Sequence, residues 1–416
     1  ADIAMSGVTI TEERKQMGYV YSRPYFLSGQ TIARRKGDTR IRQLEDLKDK
    51  KAAVQGGTTG ESALQRAGVP DDHILRFKTL PEALLSTRAE KSDSDGTVAD
   101  VPALKYFLLK DFPDLELVGN VPVKENLAVV TWKDAPELRD AINKALGKIM
   151  ADGRYARIYE HWIKEPATPE MMAELDRVRD AGISGASVER PSLASLLRKA
   201  LPQLLSGAKL TLFLTFTALL FGIPVGLGIS LLRISHFPPF RILAMVYVEV
   251  VRGTPLLIQI FIIYFVLPRL HLQFSSLASG VLALSLNSAA YIAEIFRAGI
   301  QSIDIGQMEA ARALGMDYPT AMRWVILPQT LRRVLPPLTN EAVALLKDSS
   351  LVSVVALEEL MRKGQILVTN TGEPTPIYLA VALLYLAMTL PLTFLVRRLE
   401  AAWQPITREK GRKRNV

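Results

Sequence analysis

The hydrophobic and polar positions divide this chain into two regions of different character. Residues 1–190 mix apolar and charged positions at the density of a globular protein, whereas residues 200–400 are dominated by long apolar runs. An apolar run of about 20 residues is long enough to cross a bilayer as a helix. The pattern therefore predicts a soluble region followed by a membrane region.

The membrane region contains five stretches with the length of a span. The stretch 210–232 carries no charge, whereas 336–357 is interrupted by Glu341, Lys347 and Asp348. Because ionisable residues are costly in lipid, they are expected to face protein or a transport pathway. For Lys347 and Asp348 we predict one of these two roles. The five predicted spans are 210–232, 242–267, 277–296, 336–357 and 377–396.

Two acid–base pairs lie inside these spans at a spacing of three residues. Glu249 precedes Arg252, and Glu294 precedes Arg297. Residues three apart on a helix are neighbours on its surface. We predict that each pair is an ion pair that joins helices; the alternative is a role in a transport pathway.

The charge of the chain indicates its orientation in a membrane. The net charge is +9, but the basic residues are spread over membrane-flanking loops and the tail 404–416, without a nucleic-acid-binding motif. Basic segments stay on the cytoplasmic side, and five spans place the two ends on opposite sides. We therefore predict a multi-pass membrane protein with an extracytoplasmic region 1–190 and a cytoplasmic C-terminus.

The chain offers little for a metal or a covalent cofactor. It has no cysteine and four scattered histidines. A zinc site needs several such ligands close together. We predict no metal site and no cofactor.

A segment between the third and fourth spans has the signals of a helix, a sharp turn and a second helix. The residues up to Leu314 are strong helix formers, and Gly315 suits a left-handed helix end. Asp317 can cap a second helix whose first turn accepts Pro319. The segment is therefore predicted to join two spans without being one.

This segment resembles the cytoplasmic coupling loop of ABC-importer permeases. The pattern has Glu309-Ala310-Ala311, three residues, Gly315, nine residues, Val325 where the family has Ile, one residue, and Leu327-Pro328. The resemblance implies that the loop 304–333 contacts a separate ATP-binding subunit. The chain itself has no phosphate-binding loop motif, so it is expected to be a transport subunit and not an enzyme.

Three further stretches resemble the polar amino-acid permeases of the histidine, glutamine and arginine uptake type. They are 251–259, 287–297 and 346–351. The resemblance implies a polar amino-acid substrate and a second permease core, either a copy of this chain or a paralogue. It also implies that both cores are embedded in the lipid of a bacterial inner (plasma) membrane. No nucleic-acid partner is expected.

The soluble region alternates short strands with helices, which is typical of α/β lobes. Three of its motifs resemble the solute-binding domain of polar amino-acid importers: a Gly-x-x-Ile-Thr-x-x-Arg stretch, a Gly-Thr-Thr loop and a strand that ends in Asp. The resemblance implies that an arginine and the threonine loop hold the carboxylate of the ligand and that the aspartate holds its ammonium. Carried onto this chain, these substrate-binding residues are Gly7, Thr9, Arg14, Thr58, Thr59 and Asp100.

The chemistry of a free amino acid agrees with this set. A zwitterion needs a fork-shaped cation and helix N-terminal amides for its carboxylate. It also needs an anion for its ammonium. Arg14, the Thr58–Thr59 loop and Asp100 offer these groups.

The resemblance also implies a two-lobed domain that closes about a hinge. We expect the chain to cross between the lobes at 32–35 and at 122–126. The Gly- and Ser-containing stretch before residue 192 predicts a linker over 166–191, so the domain is expected to be tethered to the membrane region without docking on it.

The start of the chain lacks both an initiator methionine and a signal peptide. In the resembled family a βαβ section precedes the counterpart of Asp2. We therefore expect a processed or incomplete chain whose first lobe is incomplete, and a fragment 1–165 that binds no amino acid tightly by itself.

The complete prediction is an α/β two-lobed domain at 1–165, a linker at 166–191, an all-α five-helix permease domain of the type I ABC importer kind at 192–403, and a tail at 404–416. The predicted function is the permease subunit of an ATP-driven importer of polar amino acids with its own fused binding domain. Two alternatives are an amino-acid sensor and a ligand-gated channel. A channel would be expected to carry a filter such as Thr-Val-Gly-Tyr-Gly, which the sequence lacks.

Overall fold

The structure is a computed structural model that describes residues 3–16, 20–88, 93–118, 124–131, 136–163, 165–180 and 192–403. The later part of the predicted linker, 181–191, and the predicted tail, 404–416, lie outside the described residues.

The soluble region is an α/β fold of two lobes, as the sequence predicts. Its strands are β1 (Ile3–Thr9), β2 (Val20–Arg35), β3 (Ala52–Gln55), β4 (Ile74–Phe77), β5 (Gly96–Asp100), β6 (Leu115–Val118) and β7 (Lys124–Thr131). Its helices are α1 (Glu12–Gln16), α2 (Thr59–Arg66), α3 (Leu80–Arg88), α4 (Val101–Lys110), α5 (Pro136–Ala151), α6 (Arg154–Ile163) and α7 (Pro169–Arg177).

The long strand β2 connects the two lobes. Its first part pairs antiparallel with β7 as far as Gly29, and β7 in turn pairs with β1. From Gln30 onward β2 pairs antiparallel with β5 and β6 instead. The chain therefore crosses at Gly29–Gln30, slightly before the predicted position 32–35. Part of the second predicted crossing, 122–123, lies outside the described residues.

The second lobe has a continuous apolar core. The strands β4, β3 and β5 are parallel neighbours. Their residues Val54 and Val98 are fully buried together with Ile32 of β2 and Leu64 of α2. Buried strands of a parallel sheet are covered by helices on their faces. This packing fixes the strand ends from which the candidate ligand residues project.

The first part of the predicted linker is packed against the soluble domain. The helix α7 begins after Thr168, whose hydroxyl accepts a hydrogen bond from the Met171 amide. Leu175 of α7 is fully buried, and Asp176 lies 3.6 Å from the guanidinium of Arg23. The packed part of the soluble region therefore extends as far as α7.

The membrane region is helical. Its helices are α8 (Leu193–Arg233), α9 (Pro238–Gly253), α10 (Leu256–Phe261), α11 (Ser276–Gln301), α12 (Ile305–Ala313), α13 (Tyr318–Ala321), α14 (Leu327–Asp348), α15 (Leu360–Thr371) and α16 (Pro374–Trp403). Short π-helical turns follow α10 and α13, and a 3-10 segment, Ser349–Val355, follows α14.

Among the described residues, three helices are long and apolar enough to cross a membrane: α8, α11 and the part Pro374–Phe394 of α16. A fourth candidate is α9 together with Leu256–Leu270, which bend by 106° at a break of a few residues. The stretch predicted as the fourth span forms α14 and the 3-10 segment, and it is less apolar than these helices.

The soluble domain docks directly on the membrane region, and the expectation of a tether without docking is wrong. The Asp93 carboxylate accepts hydrogen bonds from the amide and the hydroxyl of Ser276, at 2.6 and 2.7 Å. Phe77 of β4 is fully buried and shares one apolar cluster with Val352 and Leu284. The composition of a linker reports its flexibility and carries no information about two surfaces that meet elsewhere.

Candidate functional site

The threonine loop stands at the end of a buried strand. β3 ends at Gln55, and α2 begins at Thr59, after a turn in which Gly57 has φ +80°. The N-terminal amides of a helix attract an anion. Thr59 is buried and faces the space between the lobes, whereas the Thr58 hydroxyl donates to the Gln55 carbonyl at 2.8 Å.

Two carboxylates lie close together opposite this loop. Asp100 ends β5, as predicted, and Glu125 lies on β7. Glu125 is 4% exposed, and its Oε2 accepts a hydrogen bond from the Thr9 hydroxyl at 2.8 Å. The site therefore joins a residue of β1 to residues of the later strands.

Gln30 connects these groups at the point where β2 changes lobes. Its amide nitrogen lies 3.1 Å from Thr59 Oγ1, 2.5 Å from Asp100 Oδ1 and 3.1 Å from Glu125 Oε1. The side-chain nitrogen has two hydrogens for these three acceptors. The residue is 1% exposed, and its own Oε1 is buried without a hydrogen-bond partner among the residues that the structure describes.

The environment of Asp100 opposes its ionisation. Burial raises the pKa of Asp100 to about 7, and the neighbouring Glu125 carboxylate acts in the same direction. The Gln30 amide and the positive charge of Arg14 act against this increase. A bound cation would favour the charged form of Asp100.

Arg14 supplies the positive charge of the site. It lies on α1 and is partly buried, and its guanidinium donates to the Thr9 carbonyl at 3.1 Å. Gly7 is an exposed residue of β1 whose amide donates to the Tyr25 hydroxyl at 3.3 Å. The structure thus brings Thr9, Arg14, Thr59 and Asp100 together, whereas the polar contacts of Thr58 and Gly7 are directed elsewhere.

Gln30 and Glu125 belong to the site and were not predicted from the sequence. Gln30 stands opposite Asp100 in the β2–β5 register. This pairing depends on the tertiary structure and not on neighbouring residues. The sequence offers one signal for Gln30, a glutamine directly before the stretch Thr31 to Arg35. One polar residue in a strand is common, so this signal does not identify a binding residue. The site offers one guanidinium for an anion and two carboxylates for a cation.

The loop between α11 and α14 has the predicted helix–turn–helix form. α12 ends at Ala313, and Gly315 has φ +86°. The Met316 amide donates to the Ala311 carbonyl at 3.1 Å, and the Gly315 amide donates to the Arg312 carbonyl at 3.0 Å. These two bonds form a Schellman helix end, which favours glycine at the left-handed position.

The second helix of the loop is capped as predicted. The Asp317 carboxylate accepts a hydrogen bond from the Thr320 amide at 3.0 Å, and Pro319 lies in the first turn of α13. Hydrogen bonds from the Thr320 side chain and from the Thr320 amide lower the pKa of Asp317. The cap fixes the direction in which the chain leaves the turn.

The loop is anchored on one side and exposed on the other. Ile303, Met322 and Ile326 are buried in one cluster, against which Val325 and Leu327 pack. Ala311 is buried as well, whereas the motif residues Glu309, Ala310, Gly315 and Pro328 are exposed. Large apolar residues lie on the same exposed surface: Leu314 is 82% exposed and Trp324 is 66% exposed.

A cavity of about 450 Å³ lies in the membrane region near the loop. Arg252, Tyr291, Glu294, Arg333 and Glu341 are among its lining residues. The cavity therefore has charged side chains of both signs in a lining that also contains apolar residues, Ile295, Val334 and Pro337. Lys347 and Asp348 are exposed in this chain and are not among the residues that line the cavity.

The charged residues of the spans pair partly as predicted. Glu294 pairs with Arg297, which confirms that prediction, and also with Arg233. The predicted pair of Glu249 with Arg252 is wrong. Glu249 lies 3.3 Å from Arg233, and Arg252 lies over the Tyr291 ring, because the crossing of α8 and α9 brings Arg233 within reach.

Comparison with known proteins agrees with this division of the chain. Residues 1–165 match the family of bacterial extracellular solute-binding proteins, family 3, and residues 218–404 match the family described as binding-protein-dependent transport system inner membrane component. The glutamine transport system permease protein GlnP of Escherichia coli (strain K12) is 40% identical over 208 residues, which are 50% of this chain and 95% of that protein.

The chain belongs to the family of binding-protein-dependent inner-membrane transport components. The arginine transport system permease protein ArtQ of Bacillus subtilis (strain 168) is also 40% identical, over 48% of this chain and 92% of that protein. Among solved structures, an amino acid ABC transporter with histidines is 41% identical and covers 51% of this chain and all of that chain, with a TM-score of 0.48. This permease therefore carries a solute-binding domain in the same polypeptide.

Proposed function

We propose that the chain is the permease subunit of an ATP-driven importer of polar amino acids and that its own binding domain captures the amino acid outside the cytoplasmic membrane. The relatives are named for glutamine and arginine transport. The observation that carries the proposal is the cleft, in which one guanidinium and two carboxylates stand around the N-terminus of α2.

In this proposal the cleft binds the two charged ends of the amino acid. Arg14 and the loop Thr58–Thr59 hold the α-carboxylate, since a guanidinium and helix N-terminal amides suit an anion. Asp100 holds the α-ammonium. Gly7 and Thr9 complete the site from the first lobe.

Glu125 and Gln30 extend this binding site. An ammonium has three donors, and the three acceptors around the Gln30 amide nitrogen match that number. In this proposal the ligand ammonium displaces the Gln30 side-chain nitrogen and takes over its three acceptors. This match supports Glu125 as a second carboxylate for the ligand.

The features of the coupling loop 304–333 favour a separate subunit as the source of energy for transport. Its anchored helices and exposed apolar residues Leu314 and Trp324 suit contact with a separate ATP-binding subunit through Glu309, Ala310, Ala311, Gly315, Leu327 and Pro328. The proposed assembly pairs two permease cores, each with five membrane-spanning helices over 192–403, and carries the tail 404–416 in the cytoplasm. Lys347 and Asp348 are assigned to the pathway between the two cores.

A binding panel tests the proposed substrate class. The full chain in lipid nanodiscs is titrated by calorimetry with L-glutamine, L-arginine, L-histidine and, as a nonpolar control, L-leucine. We expect at least one polar amino acid to bind with a dissociation constant of about 10 μM or tighter, and L-leucine to bind at least about 100-fold more weakly. The absence of binding by every polar amino acid would contradict the proposal.

A labelling experiment tests the orientation. The chain has no native cysteine, so single reporters can be placed at Leu109 and at Leu314, which are 88% and 82% exposed. In intact cells a membrane-impermeant maleimide should label Leu109→Cys and spare Leu314→Cys. The opposite labelling would reverse the proposed topology.

A further inference from the structure

Arg76 of β4 joins the binding domain to the permease through buried charge. The residue is 4% exposed. Its guanidinium contacts Glu61 at 2.6 Å, Asp71, and Glu358 of the permease at 2.8 Å. Burial alone would lower the pKa of Arg76, but the charges of Glu358 and Glu61 raise it above the ordinary value. The guanidinium is therefore held charged between the two regions.

The second carboxylate oxygen of Glu61 holds the candidate ligand loop, residues 56–59. Its Oε2 accepts a hydrogen bond from the Gly57 amide at 2.7 Å, while its Oε1 contacts Arg76. Glu61 is 5% exposed and lies in the first turn of α2, directly behind Thr59. A buried carboxylate with two such partners has little freedom to move. The position of the loop is therefore tied to the position of Arg76.

The permease also contacts this loop directly. Arg362 of α15 is 5% exposed and donates to the carbonyls of Arg76 and Phe77 at 3.0 and 2.7 Å. A Cβ atom added at Gly56 would lie 2.6 Å from Arg362 Nη2, and one added at Gly57 would collide with Thr369. The two glycines therefore allow α15 to approach the loop closely.

The charges of the two surfaces are complementary. On the binding domain, Arg76 faces Glu61 and Asp71, one cation with two carboxylates. On the permease, Glu358 pairs with Lys363. The contact between Arg76 and Glu358 joins a cation of the binding domain to a carboxylate of the permease. Such complementarity sets the register of two surfaces.

We propose that the permease forms part of the amino-acid site: Glu358 and Arg362 position the Gly56–Thr59 loop through Arg76 and Glu61, so that docking and amino-acid binding strengthen each other. The inference rests on the proposed function, in which this loop holds the carboxylate of the ligand. By linkage, a contact that raises amino-acid affinity is itself strengthened by the bound amino acid. A loaded domain therefore docks on the permease more tightly than an empty one.

The test changes the permease side and leaves the binding domain intact. Arg76 and Glu61 are not substituted, because they belong to the binding domain and their loss would act on the ligand loop directly. Glu358→Gln and Arg362→Met are compared with wild type and with the control Glu373→Gln, which removes a carboxylate at the other end of α15. The full chain in lipid nanodiscs is titrated by calorimetry with L-glutamine and L-arginine.

We expect Glu358→Gln and Arg362→Met to weaken binding at least about fivefold at unchanged stoichiometry, by the same factor for each amino acid that wild type binds. The equal factor follows because the loop contacts the carboxylate that all amino acids share. A loss of folded protein would lower the stoichiometry instead. Glu358→Asp should recover part of the affinity, and Glu373→Gln should stay within about twofold of wild type.

Two results would overturn the proposal, and they differ from each other. If wild type binds and both test variants bind as tightly as the control, the permease does not position the loop, and the proposed function stands. If wild type binds no polar amino acid of the binding panel, the proposed function fails and this inference fails with it.

Discussion

The coupling loop and the ligand cleft are built in opposite ways. The loop is local: its helix end, its cap and its turn involve residues a few positions apart, and its motif residues are mostly exposed. The cleft is assembled from distant residues, such as Thr9 and Glu125, which are 116 positions apart; Glu125 is buried and Asp100 is partly buried.

The geometry of each site depends on a different level of structure. The turn at Gly315 depends on one backbone conformation, so a single substitution there acts locally. The cleft depends on strand register and on docking, so its properties respond to groups in both lobes and in the permease. The following experiments test this difference between the loop and the cleft.

The largest effect is expected at the turn of the coupling loop. Gly315→Val places a β-branched residue at φ +86°, at a cost of more than about 1 kcal/mol, and redirects α13. We expect ATP-driven uptake to be lost while membrane insertion and amino-acid binding persist. Glu309→Lys, which reverses an exposed charge of the same loop, should also uncouple transport.

Gly315→Asn is the matched control, because asparagine tolerates the left-handed conformation. It should retain most of the uptake, as measured with the same reconstituted transporter. Uptake at the wild-type rate by Gly315→Val would show that the turn does not couple the permease to its energy source.

The next largest effect is expected for the cation of the cleft. Arg14→Met removes the guanidinium that pairs with the α-carboxylate, and we expect about 100-fold weaker amino-acid binding by calorimetry. Arg42→Met, which removes an exposed guanidinium of the same domain, serves as the control. Equal affinities of the two variants would remove Arg14 from the site.

A smaller effect is expected from pH. In the free protein the pKa of Asp100 is raised to about 7, and the ammonium of a ligand requires the charged carboxylate. Affinity should therefore be constant above pH 7 and should fall by up to about tenfold per pH unit below it. Asp100→Asn should bind weakly without this pH dependence. A wild-type affinity that is flat from pH 5 to 8 would contradict the role of Asp100.

The free protein should show the opposite trend in stability. Because the folded pKa of Asp100 is higher than the ordinary value, the protonated carboxyl is the one favoured by folding. This group therefore makes the empty domain less stable as pH rises through about 4 to 7. Bound amino acid reverses this dependence by pairing with the carboxylate.

The smallest effect is expected where the coupling loop departs from its family pattern. Val325 is partly buried against the cluster of Ile303, Met322 and Ile326, so Val325→Ile adds one methylene to an adaptable site. We expect uptake within about twofold of wild type, because volume changes of this size are tolerated at partly buried positions. A severalfold change would show that the loop is packed as tightly as the cleft.

The sequence predicts local features well in this molecule and tertiary features poorly. Gly315 and Asp317 were predictable because helix ends depend on neighbouring residues. Asp100 and Thr59 were predictable because they follow strands in recognisable motifs. Gln30 was missed because its role exists in the pairing register of β2 with β5.

The same distinction explains the errors. The docking contacts Arg76–Glu358 and Asp93–Ser276 join residues 282 and 183 positions apart, which no local pattern records. Glu249 was paired with its helix neighbour, whereas the crossing of two helices gave it Arg233. The α/β and all-α classes of the two regions were predictable because hydrophobic periodicity determines them.

The central claim is that this chain transports polar amino acids with energy from a separate ATP-binding subunit. The most direct measurement reconstitutes the chain with that subunit in proteoliposomes and follows uptake of radiolabelled L-glutamine and L-arginine. We expect uptake of at least one of the two amino acids, and we expect this uptake to require internal ATP and to be lost in Gly315→Val. Uptake that is independent of ATP, or no uptake although the amino acid binds, would contradict the account.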